Sequence, residues 1–490
     1  MSFKKLAALL LCAALLFSLC ACSGGKKGDE PAAAARSLRL PFASEDSIDP
    51  YACESSCNLL VSRLIFESLF AIDDSRQPVQ QLAEKYIVED KTITVTLAQA
   101  SFSDGSAVTS EDVIFSFDRA KQSERYKAAL AGFDGAQAKG SGVVRFTLAS
   151  KNVYALNLLT FPILSQKNNR IGSGYYALQE NDNGYTLAYN KNHKGDRPQF
   201  ETIELVECAD EAAAIKAFNA ESIDYLFESL SDGNVRASAI QSQKAKLNNL
   251  LFLGLNSKKG LLKNTAFRAA LSYCLNQDEL CESALEGYAV ATATPFDAQW
   301  SEMGSIVANS VLSNSKQAKA AFKKAGCTYD KMGINLLLEE KPISLTILVN
   351  SANNMKIALA ESVKTQLISF GISAEVKKMP FDEYSKAVEN ENFDLYIGEV
   401  AIPNDFNLDC FFSADGGADF GIDYTTVQKT YVQFKGGNAS LQDFVSAFCD
   451  ENPFIPIGYR CAHVCLHTDL KIAGTISENN PFPQIWEWDK

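Results

Sequence analysis

The sequence predicts a mixed α/β, multi-domain fold, and three observations carry that prediction. The chain has 490 residues with 47% hydrophobic and 21% charged side chains, a globular composition. At roughly 150 residues per domain, that length suggests two to four domains. Between residues 345 and 400, strand and helix patterns alternate in the way of a parallel α/β layer. After residue 22 no stretch approaches the ~18 uninterrupted apolar residues of a membrane-spanning helix.

The elements follow in chain order. Leu38 to Phe42 is a short apolar strand. Residues 55–70 place Leu59, Leu60, Ile65, Phe66, Leu69 and Phe70 near helical spacing. Thr92 to Leu97 alternates as a strand, and Thr109 to Asp112 opens a helix with a capping-box pattern. Residues 185–190 and 201–207 read as strands, and the Ala-rich stretch 210–219 as a helix. Leu251 to Leu255 is a strand, and 266–285 a helix broken by a polar turn. Leu345–Val349, Ile372–Val376 and Phe393–Val400 are strands of the α/β layer. Between them lie helices over Met355–Phe370, stopped by Gly371, and Phe381–Val388. Such a layer binds ligands beyond the C-terminal ends of its strands. That points to Asn350–Asn353 and to Glu399–Asp409.

The first residues read as an address. Lys4 and Lys5 precede fourteen apolar or small residues, Leu6 to Leu19 with one Ser, too short to span a bilayer. Leu19, Cys20, Ala21 and Cys22 then resemble a bacterial lipobox. This implies a signal peptide over 1–21, lipidation of Cys22 and a flexible tether over 22–36. The expected location is the outer face of a bacterial cell membrane, or the periplasm, anchored and not spanning.

Charge and residue counts narrow the function. With 46 Lys+Arg against 59 Asp+Glu, the formal charge is −13, which argues against a nucleic-acid partner. Only three histidines occur, His193, His463 and His467, which restricts His-based catalysis. Catalytic and nucleotide-binding motifs such as G-x-S-x-G, H-E-x-x-H and the P-loop are missing. The expectation is a protein that is not an enzyme and carries no cofactor. Ten cysteines remain beyond Cys22, scattered within apolar patterns, and mostly free thiols are expected.

Several segments, in order, resemble the extracellular solute-binding proteins of family 5, the oligopeptide-, dipeptide- and nickel-binding lipoproteins of ABC importers. They are Ser47–Tyr51, Ile65–Phe70, Pro78 with Leu82–Glu84, Phe102–Gly105 and Thr109–Val113. Leu253–Asn256, Phe267–Ser272 and Asn452–Ile457 continue the series. The resemblance implies a two-lobed periplasmic-binding-protein-like fold, type II, with an extra subdomain in lobe I and the ligand cleft between lobes. It implies lobe I over 37–254 and 459–490, and lobe II over 255–458. It also implies a peptide or similar small solute as ligand, with permease subunits and cytoplasmic ATPases as partners.

Two departures from the family pattern matter. Peptide binders commonly hold the ligand amine with an Asp after a "GW..D" segment. Here that segment is Gly398 to Asp405, so Asp405 or Asp409 takes the place of that Asp, and Glu399 enters the strand. An acid there is costly to bury unless a cationic ligand group or a local Arg meets it. The Arg that dipeptide binders place for the ligand carboxylate is missing, and Asn350, Ser351, Ala352 and Asn353 stand there. Tyr51, Tyr176 and Trp300 are aromatic candidates for the cleft wall, and Ser351 is a polar one. Cys461, His463, Cys465 and His467 alternate, which suggests metal. Neighbours on a strand lie about 6.5–7 Å apart, so four cannot reach one ion, but two plus a residue from elsewhere could. A nickel or metallophore carrier, or a ligand-sensing lipoprotein without transport, is the alternative function.

Overall fold

The computed structural model describes residues 37–182, 184–306, 314–414, 416–423 and 425–490. The expected signal peptide, the lipidation at Cys22 and the tether lie outside the described residues. No helix among the described residues is long and apolar enough to cross a membrane.

The α/β layer forms as its pattern predicts. Strand Ser344–Asn350 pairs in parallel with Ser373–Met379 on one side and Leu395–Ala401 on the other. Helix Asn354–Ser369 connects the first pair, and its buried Met355, Leu359, Ala360, Val363 and Leu367 face the sheet. Asn353 caps it, accepting from the Lys356 N–H at 2.9 Å. Gly371, at φ 82°, ends it in a conformation that costs glycine nothing.

Two long strands tie this layer to the rest of the chain. Gln241–Leu255 runs antiparallel to Leu395–Ala401 and to Phe454–Leu466. The polar first half of Gln241–Leu255 hides it from a sequence reading that finds only its apolar end. Tyr225–Glu228 extends the same sheet beyond Phe454–Leu466. Along both long strands the cores change. Ala245 and Leu247 pack with Leu38, Leu64, Tyr176 and Trp488, whereas Leu250 packs with Phe296, Phe411 and Phe454. Likewise Tyr459 belongs to that second core, and Ala462 and Val464 to the first. We call the body that holds Ala245, Ala462 and Val464 lobe I, and the body that holds Leu250 and Tyr459 lobe II.

Lobe I carries two further four-stranded sheets. One orders its strands Leu38–Phe42, Thr202–Glu207, Gly184–Tyr189 and Tyr176–Asn181. The other, Ala83–Glu89, Thr92–Leu97, Val143–Leu148 and Phe133–Ala138, packs on helix Ser110–Gln122 through Val113, Phe117 and Ala120. It has its own core and forms a subdomain. The helix starts where the capping pattern places it, with the Asp112 carboxylate accepting from the Thr109 N–H at 3.0 Å and hydroxyl at 2.7 Å. Cys53, Cys57, Cys208, Cys274, Cys281, Cys327, Cys410, Cys461 and Cys465 are free thiols, most of them buried.

Candidate ligand site at the lobe junction

Glu399 sits in strand Leu395–Ala401, opposite Leu251. Its side chain is 11% exposed and fully partnered. The Lys356 ammonium reaches one carboxylate oxygen at 2.7 Å, and the Arg460 Nε and Asn249 Nδ2 reach the other at 2.7 Å each. Burial alone would push this carboxyl up. The two cations outweigh that and hold it at about 2. Arg460 also donates to the Ser229 carbonyl of lobe I. The local Arg expected from a buried acid is therefore present, joined by a lysine from the first turn of helix Asn354–Ser369.

A small cavity adjoins this group, about 10 Å³, room for a single water-sized sphere. Leu230, Leu251, Leu285, Tyr288, Asn353, Met355, Lys356 and Arg460 line it. A larger hollow, about 400 Å³, opens on lobe I near Ser103, Asp104, Arg170 and Glu180, with no lining residue from lobe II.

The lobes touch on both sides of the Glu399 group. On one side the 229–234 loop meets the start of helix Asn354–Ser369. Asn353 Nδ2 donates to the Ser231 carbonyl at 2.9 Å, and Asn354 Nδ2 to Asn234 Oδ1 at 2.8 Å. Gly233 lies at φ 73°, where a Cβ would come 2.5 Å from Asn353 Oδ1, so this approach requires glycine.

On the other side Asn152 Nδ2 donates to Asp405 Oδ2 at 2.7 Å, and Asn157 Nδ2 to the Asn404 carbonyl at 3.0 Å. Tyr154 donates to Glu302 Oε2 at 2.8 Å and meets Trp300 and Phe406 edge-on. Nearby, Arg76 Nε and Lys246 Nζ converge on Asp297 Oδ2 at 3.1 and 2.5 Å. Burial would raise the Asp297 pKa, but Lys246 and then Arg76 hold it below the usual carboxylate value.

The other sequence-derived candidates are placed as follows. Asp405 is 3% exposed, and burial pushes its carboxyl up to about 6 against the hydrogen bond from Asn152. Asp409 is bound by Lys435 at 2.7 Å and by the Tyr431 hydroxyl at 3.0 Å. Ser351 is exposed beyond strand Ser344–Asn350, its N–H donating to the Met379 carbonyl at 2.8 Å. Trp300 is buried and stacks on Phe406 with ring centroids 3.7 Å apart. Tyr176 is buried in the lobe I core and donates to the Phe200 carbonyl at 2.8 Å. Tyr51 donates to the Pro162 carbonyl and faces Tyr126 and Arg119. The structure thus brings Glu399, Asp405 and Trp300 to the lobe junction and sets Tyr51 and Tyr176 within lobe I.

Of the alternating Cys and His set, Cys461, His463 and Cys465 lie in strand Phe454–Leu466, while His467 follows its end. Lys356, Arg460, Tyr154, Asn152 and Gly233 escape sequence reading. Each acts through a partner far away in the chain, and only the Glu399 acid in an apolar strand signals that such partners exist.

The comparisons agree with this architecture. The profile of the bacterial extracellular solute-binding proteins, family 5, matches residues 77–418. The oligopeptide-binding protein AppA of Bacillus subtilis is 25% identical over 452 residues, covering 80% of this chain and 79% of AppA. The periplasmic murein peptide-binding protein MppA of Escherichia coli is 24% identical over 476 residues, covering 84% and 85%. Among solved structures, the unliganded open form of MppA aligns with TM-score 0.72 at 19% identity, covering 92% of this chain and 96% of that one. NikZ from Campylobacter jejuni, in complex with Ni(L-His), aligns with TM-score 0.63 at 19% identity, covering 93% and 99%. The chain therefore has the two-lobed fold of periplasmic solute-binding proteins, and it belongs to the bacterial extracellular solute-binding proteins of family 5, which serve ABC importers.

Proposed function

We propose that the protein is the lipid-anchored binding subunit of an ABC importer. It captures a free peptide, or a small solute with both an amine and a carboxylate, and delivers it to a membrane permease driven by cytoplasmic ATPases. The Glu399 group carries this reading. One acid and two cations lie half-buried where the lobes meet, beside a cavity too small for any peptide. Ligand entry therefore needs the lobes to part. A zwitterion replaces these partners like for like: its amine meets Glu399, and its carboxylate meets Lys356 and Arg460. No buried charge is left unpaired by that exchange, which is what makes it favourable. A ligand touching both lobes then stabilises the closed state that the permease recognises. Asp405 and Trp300, engaged with Asn152 and Tyr154, we assign to closure, and Ser351 to the ligand in the open state.

Thermal-shift screening of the purified protein against peptides, polyamines and neutral sugars tests this reading. Peptides are expected to raise the melting temperature, and stabilisation by neutral sugars alone would refute it. The anchor is tested separately: Cys22→Ala is expected to release the protein from membranes, and continued lipid labelling of that variant contradicts the assignment. A second reading rests on charge. Lys356 and Arg460 outnumber Glu399, so the group favours a carboxylate-rich ligand, including an anionic metal chelate of the kind bound by NikZ. Calorimetry with nickel–histidine decides it, since the absence of heat ends that reading.

A further inference from the structure

The alternating Cys and His strand does not gather its own four members, but it gathers a different set. Glu228, on the neighbouring strand Tyr225–Glu228, stands in register with His463. Its Oε2 lies 3.1 Å from His463 Nδ1, and the Cys465 sulfur lies 3.4 Å from the same nitrogen. One donor atom from each of Glu228, His463 and Cys465 falls within 4.8 Å of the other two, and all three residues are buried. We propose that these residues form a resident site for one zinc-like divalent transition-metal ion, separate from the ligand cleft.

Geometry comes first: donors bonded at about 2.0–2.3 Å to a tetrahedral ion stand roughly 3.3–3.7 Å apart. The oxygen–nitrogen and nitrogen–sulfur separations are already close to that. The oxygen–sulfur edge, within 4.8 Å, needs a contraction of at most about 1.1–1.5 Å, within reach of side-chain rotation.

Charge comes second. A divalent ion held by the Glu228 carboxylate, the Cys465 thiolate and neutral His463 has no net charge. A dry interior tolerates such a site far better than an isolated ion. Binding releases the thiol proton to solvent, and no redox change is involved.

Third, the ligands are held in place by groups around them. Glu228 accepts the Arg236 N–H at 2.8 Å and the Ala237 N–H at 3.3 Å, which fixes the carboxylate. The Tyr288 ring covers His463 edge-on at 5.6 Å. Lys244, in register beside His463, has its ammonium over the Tyr288 ring at 5.1 Å.

Fourth, the donor types are selective. Sulfur, nitrogen and carboxylate oxygen together suit zinc and its neighbours and disfavour magnesium or calcium. Three protein ligands leave a fourth position for water.

The site excludes the other members of the sequence pattern. His467 lies beyond the strand with Asp469 at 3.9 Å. Cys461 is two residues back along the strand, about 6.5–7 Å from His463 by the strand repeat. All three donors belong to lobe I strands, and none reaches the Glu399 group, so the metal is a fixed component and not the cargo.

The test uses the full chain, reduced and stripped with chelator, then titrated with cobalt(II). The expected result is binding of a single equivalent with a thiolate-to-cobalt charge-transfer band, displaced by zinc. Cys465→Ser abolishes the band, Cys461→Ser retains it, and Glu228→Gln weakens affinity roughly tenfold or more, as loss of a ligating or supporting group does. A wild type without the band, or a band that survives in Cys465→Ser, overturns the site. If circular dichroism shows Cys465→Ser unfolded, Glu228→Gln decides: unchanged cobalt affinity overturns the proposal. Peptide binding is not the readout, so failure here leaves the proposed function standing.

Discussion

Replacing Asp405 by Asn is expected to stabilise the protein at neutral pH, against the usual direction of core substitutions. The residue is 3% exposed, and one of its oxygens has no hydrogen bond of ordinary geometry. Burial lifts its carboxyl from 3.8 to about 6, which corresponds to ~3 kcal/mol. An acid whose pKa is raised by folding binds its proton more tightly in the native state. Stability from this group is therefore full below pH ~4 and falls as pH rises through about 6. Asn is neutral throughout and keeps an oxygen to accept from Asn152. The gain in Asp405→Asn should be near zero at pH 4 and about 1–3 kcal/mol at pH 7.5, with the upper figure set by the linkage. Urea unfolding across that pH range measures it. The variant-minus-wild-type difference removes the other carboxylates, and it holds even if the lobes unfold in separate steps, provided both steps are fitted. A difference that stays flat with pH, or a variant less stable at pH 7.5, would show that ionised Asp405 carries no burial penalty in the native state.

Two further predictions concern the junction. Glu399→Gln leaves Lys356 and Arg460 without their carboxylate, and breaking such a buried pair costs about 3–5 kcal/mol. Linkage gives a similar figure, because the fall from 4.5 to about 2 corresponds to ~3 kcal/mol. A carboxyl lowered by folding stabilises above its unfolded pKa, so the penalty should be full above pH ~5 and fade as pH falls towards 2. A penalty that persists at the acid end of a urea titration contradicts this. Gly233→Ala places a side chain at φ 73° against Asn353, and about 1–2 kcal/mol of backbone strain follows. Because the clash exists only while the lobes touch, small-angle scattering should show a larger radius of gyration for this variant. An unchanged radius would show that the loop yields instead.

The α/β layer was legible because its signals are local. Periodicity in Met355–Phe370, a stop at Gly371 and flanking apolar strands are all read within one short segment. Strand Gln241–Leu255 was half legible, since its first nine residues are mostly polar, while Leu250 to Leu255 are apolar or small. Its pairing on both sides comes from residues well over a hundred positions away. The site divides in the same way. Glu399 stood out as an acid that burial would penalise, and the need for a cation followed from that cost alone. Which cation answers it could not be read, because Lys356 and Arg460 reach it from a helix start and from a returning strand. Asp405 was visible as an acid at a strand end. Its partner Asn152 lies 253 residues earlier in an unpatterned turn. The Cys and His alternation was visible as well, but the strand that supplies Glu228 to it is a matter of sheet order.

Calorimetric titration with a free tripeptide, and with the same tripeptide acetylated at its amine, tests the capture mechanism most directly. The free peptide is expected to bind, and the acetylated one to bind at least about tenfold more weakly, a loss of ~1.4 kcal/mol. Glu399→Gln should lose the distinction between them. Equal affinity of the two peptides for the wild-type protein would contradict the claim that a buried acid at the lobe junction receives the ligand amine.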